Sequence, residues 1–276
     1  MPPSVVASRL QPFGTTIFAE MSALAAELGA INLGQGFPDS DGPREVLDVA
    51  IESINAGLNQ YPPGMGMQVL REAIAQHQQR FYGVSYNCDT EVLVTAGATE
   101  AIAGALLGLL EPGDEVIVFE PMYDSYQACI AMAGAVSVPI LLEPPLYRPN
   151  MDALEAAITN RTRILLINSP HNPTGMLLTR EEQKHIVRIA ELHNLIIVSD
   201  EVYEHLVFDG KRHVSIAEIP QSRDRSIVIS SGGKTFHTTG WKVGWAVGPA
   251  HLIAAVRSAK QFLTYVNAAP FQPAIA

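Results

Sequence analysis

Six short apolar runs rich in β-branched residues recur along the chain, at positions 91–95, 115–119, 136–142, 163–168, 195–199 and 226–230. Continuous runs of this length suit strands buried on both faces, the pattern of a parallel sheet. A weaker strand candidate follows at 245–248. Between the runs lie stretches of helical period. Residues 67–82 place Leu70, Ile74, His77 and Phe81 on one face, which predicts an amphipathic surface helix. Residues 99–110 are apolar nearly all round and belong inside. Residues 181–194 carry Ile186, Ile189, Ala190 and His193 at helical spacing. Alternating strand and helix predicts an α/β, doubly wound fold. No internal repeat interrupts it, and the Pro-rich stretch 143–149 reads as a surface connection.

Polar, glycine-rich segments follow the strands directly. They begin at Ala96-Gly97-Ala98-Thr99, Glu120-Pro121-Met122-Tyr123, Asn168-Ser169-Pro170, Asp200-Glu201-Val202-Tyr203 and Ser231-Gly232-Gly233-Lys234. In an open α/β sheet the ligand lies beyond the carboxyl ends of the strands. Five such endings meeting on one edge predict a site there.

Composition narrows what that site serves. With 276 residues, 47% of them apolar and 17% charged, the chain buries a sizeable core. A formal net charge of −10 argues against a general nucleic-acid or anionic-membrane surface. Cys88 and Cys129, the two cysteines, make neither a disulfide framework nor a metal cluster, which favours a reducing cytoplasm. The first 21 residues lack the pattern of a secretory signal, and the longest apolar stretch, 101–110, is too short to span a bilayer. A cytoplasmic protein without a metal is expected.

The chemistry centres on Lys234. The run Ile227-Val228-Ile229 leads into Ser231-Gly232-Gly233-Lys234-Thr235. Gly233-Lys234-Thr235 imitates the end of a phosphate-binding P-loop, but that motif needs glycine where Val228 stands. A lysine beside small residues at a strand end is instead placed to form an imine with a carbonyl compound, here pyridoxal phosphate. That cofactor needs a lysine, a phosphate cradle, a carboxylate for its ring nitrogen, donors for its phenolic oxygen and a stacking face. Asp200 ends a buried run and supplies the carboxylate. Tyr203 and Asn172 are the donors, and Tyr123 the stacking ring. Gly97-Ala98-Thr99, opening a helix, makes a cradle that Ser231 and Lys242 complete. Taken singly, Asp200 also reads as a helix cap or a structural salt bridge, and the tyrosines as half-buried aromatics.

With those residues in place, the chain resembles the class I/II aminotransferases of pyridoxal phosphate fold type I. Ser231-Gly232-Gly233-Lys234-Thr235 and Gly240-Trp241-Lys242-Val243-Gly244 match the family's lysine signature. Asn172-Pro173-Thr174-Gly175 and Asp200-Glu201-Val202-Tyr203 match its two other motifs. The resemblance implies a mostly parallel central sheet flanked by helices as a large domain, over residues 41–276, with an N-terminal arm and substrate-side loop over 1–40. It implies Lys234, Asp200 and Tyr203 as catalytic residues. It also implies a homodimer in which Tyr61 reaches the partner's cofactor phosphate, and a loop, 32–38, closing over the amino acid. Gly36, Phe18 and Asn172 would then contact the substrate.

Within that family the segments 201–209 and 269–274 are similar to N-succinyldiaminopimelate aminotransferases of lysine biosynthesis, with 2-oxoglutarate as the second substrate. Methionine, glutamine and kynurenine aminotransferases share nearly all the motifs. A pyridoxal phosphate carbon–sulfur β-lyase or a non-catalytic cofactor-binding fragment would use the same residues. The family continues past the position of Ala276 into a small domain, whose arginine grips the substrate carboxylate. The resemblance therefore implies an incomplete large domain, a largely absent small domain and a chain doubtful as a transaminase by itself. Arg223 and Arg257 are expected to be surface charges.

Overall fold

The computed structural model describes residues 5–36, 38 and 40–276. The chain runs through α1 (Ile17–Leu28), α2 (Arg44–Asn55), α3 (Gln68–Tyr82), β1 (Val92–Ala96), α4 (Gly97–Leu109), β2 (Glu115–Glu120) and α5 (Ser125–Met132). It continues through β3 (Val136–Leu141), α6 (Met151–Ala156), β4 (Thr162–Asn168), α7 (Arg180–Leu192) and β5 (Ile196–Asp200). The last elements are β6 (Ser226–Ser231), α8 (Gly232–Thr235), β7 (Val243–Val247), α9 (Ala250–Leu263) and α10 (Gln272–Ile275).

The strands form one seven-stranded sheet in the order β1-β7-β6-β5-β4-β2-β3. Its parallel pairs are β2–β3, β2–β4, β4–β5 and β5–β6, while β7 lies antiparallel between β1 and β6. Side chains alternate across the sheet, as a period of two requires. Val116, Val118, Ile164, Leu166, Val198, Ile227 and Ile229 join one core with α4, α5 and α9. Ile117, Phe119, Leu165, Ile167, Ile197 and Val228 join the other with α3 and α7. This two-sided burial explains the uninterrupted apolar runs.

Two expectations need correction. Residues 136–142 read as a strand buried on both faces, but β3 is the sheet edge, with Val136 and Leu141 largely exposed. Pro139 is tolerated there because an edge strand need not donate on its outer side. On α3 the buried line is Leu70, Ile74, Gln78 and Tyr82, so Phe81 turns outward and His77 is half-buried. A slight rotation of the helix puts Tyr82 where it reaches buried Glu204.

Helix α4 is the central inner helix, as its composition predicts, with Ala101, Ile102, Ala105 and Leu106 fully buried. On α7 the predicted face is buried through Ile186, Ile189 and Ala190, while His193 caps the exposed end. Thr179 and Glu182 form a capping box that fixes where α7 begins. No helix among the described residues is long and apolar enough to cross a membrane.

Candidate active site

The carboxyl ends of β4, β5 and β6 converge with the start of α4 around a cleft of about 690 Å³. Phe18, Gly36, Gly97, Ala98, Thr99, Tyr123, Asn172, Asp200, Tyr203, Ser231, Lys234 and Lys242 all line it. Phe37 of the substrate-side loop lies outside the described residues.

Asp200 is the last residue of β5 and is buried. Its Oδ2 accepts a hydrogen bond from the Tyr126 hydroxyl at 2.6 Å, and its Oδ1 accepts from the Val202 amide at 3.2 Å. Burial pushes its carboxyl up to about 6, and the Tyr126 and Val202 donors pull the other way. The carboxylate has no ion-pair partner among the described residues, so a cation in the cleft would stabilise it. In the sheet register Asn168 stands beside Asp200. Its side chain donates to the Asp200 carbonyl at 2.8 Å and accepts from the Asn172 amide at 2.6 Å. Asn168 thereby ties the Asn172 loop to the strand that carries Asp200.

Lys234 sits on α8, the single helical turn that follows β6, and is half-buried. Its Nζ donates to the Gly36 carbonyl at 2.5 Å and lies 5.5 Å from the centre of the Tyr203 ring. Burial and the nearby Lys242 charge lower its ammonium below the ordinary lysine value, against an opposing pull from Asp200. A lysine eased toward its neutral form is a better base and nucleophile. Burial, with the fields of Asp200 and Tyr123, raises the Tyr203 phenol above its ordinary value, and the neighbouring Asn172 side chain opposes them.

Gly97 opens α4 with φ +74°, a left-handed conformation that glycine alone adopts without strain. A Cβ there would stand 3.0 Å from Lys242 Nζ. On β7, Gly244 lets the strand pass directly beneath this turn, since a Cβ would come within 2.8 Å of Gly97 and Ala98 backbone atoms. Lys242 makes no side-chain hydrogen bond or ion pair among the described residues. A helix N-terminus, a bare glycine amide and a free ammonium together suit a phosphate. With the Asp200 carboxylate at the other end, the set fits a cofactor that is phosphorylated and carries a basic ring nitrogen.

Phe18 and Tyr123 stand with ring centres 6.2 Å apart on the cleft wall, and Tyr123 meets Tyr126 edge to face at 5.6 Å. Tyr61 stands apart. It is 81% exposed, packs edge-on against Tyr265 and does not line this cleft. Arg257 is an exposed charge as expected. Arg223 is not: it is half-buried, pairs with Glu91 at 2.8 Å and lies over the Tyr86 ring. Tyr126 and Asn168 are the site residues that sequence reasoning missed. Asn168 ends a strand as Asp200 does, which could have marked it, whereas nothing in the local sequence singles out Tyr126.

Residues 29–276 match the family model "Aminotransferase class I and II". The chain is 58% identical over 271 residues to a probable N-succinyldiaminopimelate aminotransferase of Mycobacterium tuberculosis, covering 98% of this chain and 68% of the relative. The solved structure of that Mycobacterium enzyme superposes with a TM-score of 0.96 at 57% identity, over 98% of this chain and 71% of that one. An Escherichia coli protein with methionine aminotransferase function superposes with a TM-score of 0.95 at 44% identity, over 99% and 71%. Rat kynurenine–oxoglutarate transaminase 3 is 38% identical over 98% of this chain and 62% of its own. Fold, cleft and sequence agree: the chain belongs to the class I and II aminotransferases, enzymes that use pyridoxal phosphate to exchange amino groups between amino acids and 2-oxo acids.

Proposed function

We propose that this chain moves an amino group from N-succinyl-LL-2,6-diaminopimelate to 2-oxoglutarate by a ping-pong exchange, a step of lysine biosynthesis in the cytoplasm. The observation that carries the reading is the meeting of Lys234, Asp200 and Lys242 around one cleft in a chain 58% identical to a relative named for that substrate.

Pyridoxal phosphate, when bound, supplies an acceptor for the electron pair left when the α-proton of the amino acid departs. Asp200 holds the ring nitrogen and keeps it protonated. Tyr203 and Asn172 hold the phenolic oxygen, and Tyr123 covers a ring face. Gly97, Ala98, Thr99, Ser231 and Lys242 hold the phosphate. Lys234 would hold the cofactor at its carbonyl group, and its amine, once released, would move the proton at the substrate α-carbon. Gly36 and Phe18, of the N-terminal arm and substrate-side loop, exclude water on the substrate side. Tyr61, exposed outside its own cleft, serves the cleft of a second subunit in a homodimer.

Borohydride reduction of the holoprotein followed by peptide mapping tests the site, with cofactor mass expected on the peptide that contains Lys234. Lys234→Ala should lose the visible absorption of bound cofactor and about 10²-fold or more of the rate. Normal activity in that variant would sink the reading. A panel of succinyldiaminopimelate, methionine, glutamine and kynurenine tests the substrate. Pyruvate and ammonia released from a cysteine conjugate without an oxo acid would point to a β-lyase.

A further inference from the structure

We propose that His77, Glu204 and His205 form a binding site for a divalent transition-metal ion of the zinc class, behind the wall of the cofactor cleft. The three side chains come from α3 and from the loop after β5. A ligand atom of each lies within 4.8 Å of the other two. The two Nε2 atoms are 2.7 Å apart, and His77 Nε2 is 3.9 Å from Glu204 Oε2. Zinc bonds to nitrogen of about 2.0–2.1 Å set two tetrahedral ligands about 3.3 Å apart. A small turn of the exposed His205 ring reaches that spacing.

The carboxylate is what makes this more than two neighbouring histidines. Glu204 is 4% exposed, and among the described residues no Lys or Arg pairs with it; the His77 imidazole, 3.9 Å away, is its one basic neighbour within 4 Å. A buried carboxylate without Lys or Arg beside it is costly unless a cation or donors compensate it. Donors are present: Ser230 Oγ gives a hydrogen bond at 2.5 Å, and the Tyr82 hydroxyl gives another. Those two fix the carboxylate's orientation, as outer partners do for a metal-ligating carboxylate. Burial lowers His77 below its ordinary value, leaving the imidazole neutral and able to coordinate. A second cavity of about 400 Å³ borders all three residues and gives an ion a way in and room for a fourth, water ligand. Two imidazoles and one carboxylate favour zinc or its neighbours over magnesium, which prefers an all-oxygen shell.

The test uses the holoenzyme, freed of metal, with zinc ion titrated in competition with a chromogenic chelator. One zinc per chain is expected, undisturbed by excess magnesium. His205→Gln and His77→Gln should each weaken binding at least about tenfold, and the double variant should bind none at this stoichiometry. His205 is exposed, so His205→Gln keeps the test valid if the α3 variant folds poorly. Folding is checked by the bound-cofactor absorption, because neither histidine lines that cleft. No zinc on the wild-type chain, or unchanged binding in His205→Gln and the double variant, overturns the proposal.

Discussion

Tyr126 donates its hydroxyl hydrogen to Asp200 across 2.6 Å, joining the first turn of α5 to the last residue of β5. Both groups are buried, and each shapes the other's chemistry. Burial together with the Asp200 charge raises the Tyr126 phenol well above its ordinary value, so it remains a donor. The same bond opposes the burial that pushes the Asp200 carboxyl up to about 6. Tyr126 therefore helps keep ionised the group proposed to meet the cofactor's ring nitrogen.

Tyr126→Phe removes that donor and leaves the ring in place. A hydrogen bond to a charged group contributes about 1.5–3 kcal/mol, so cofactor affinity should fall by about 10- to 100-fold. Titration of the apoprotein with cofactor, followed by visible absorption, measures it. A change smaller than about twofold would deny Tyr126 this positioning role.

Asp200 also sets a pH dependence for the cofactor-free protein. Its folded value of about 6 lies above the ordinary 3.8, so the folded chain retains a proton that the unfolded chain has released. Stability contributed at this site is then highest below about pH 4 and falls as pH rises to about 6, by on the order of 3 kcal/mol in all. Asp200→Asn should remove the trend. Urea midpoints at pH 4 to 7, wild type minus variant, measure it, and a flat difference would refute it.

How much of this was legible follows from what each element buries. β2, β4, β5 and β6 stand out because both faces pack on helices, so their central positions are apolar without interruption. β3 has the same residue types at an edge, and composition does not distinguish the two settings. The direction of β7 depends on the path of the chain after Lys242, which no local pattern encodes. Helix α1 went unread although Ile17, Met21, Leu24 and Leu28 recur at helical spacing, and none of that stripe is buried in this chain. The cleft-lining residues at strand ends were legible because chain position places them at the sheet's carboxyl edge. Tyr126 reaches Asp200 across 74 positions from a helix, a contact created only by packing.

Gly97→Ala tests the phosphate cradle. The φ of +74° strains any Cβ, and the added methyl would press on Lys242 at 3.0 Å. Stability should drop by more than about 1 kcal/mol, with weaker binding of cofactor and of inorganic phosphate. Equal phosphate affinity in variant and wild type would place the anion elsewhere.

Glu201 and His213 form the second buried pair, at 2.7 Å and with both side chains almost inaccessible. Glu201 also accepts from Ser199 Oγ at 2.8 Å and the Ile216 amide at 3.0 Å, so it pins the loop that carries Tyr203 to β5. Burial alone would lower the His213 imidazole. The Glu201 charge and hydrogen bond, with the fields of Glu204 and Glu218, outweigh burial and raise it above 6.5. The folded chain thus holds this proton more tightly than the unfolded chain does. The stabilisation is fully present below pH 6.5 and is lost as pH rises through the higher folded value. His213→Ala leaves Glu201 buried without its cation, and about 3–5 kcal/mol should be lost near pH 6. The gap between wild type and variant should narrow toward pH 9. Chemical denaturation of both proteins across that range measures the gap, and a constant difference would mean that His213 is neutral in the fold.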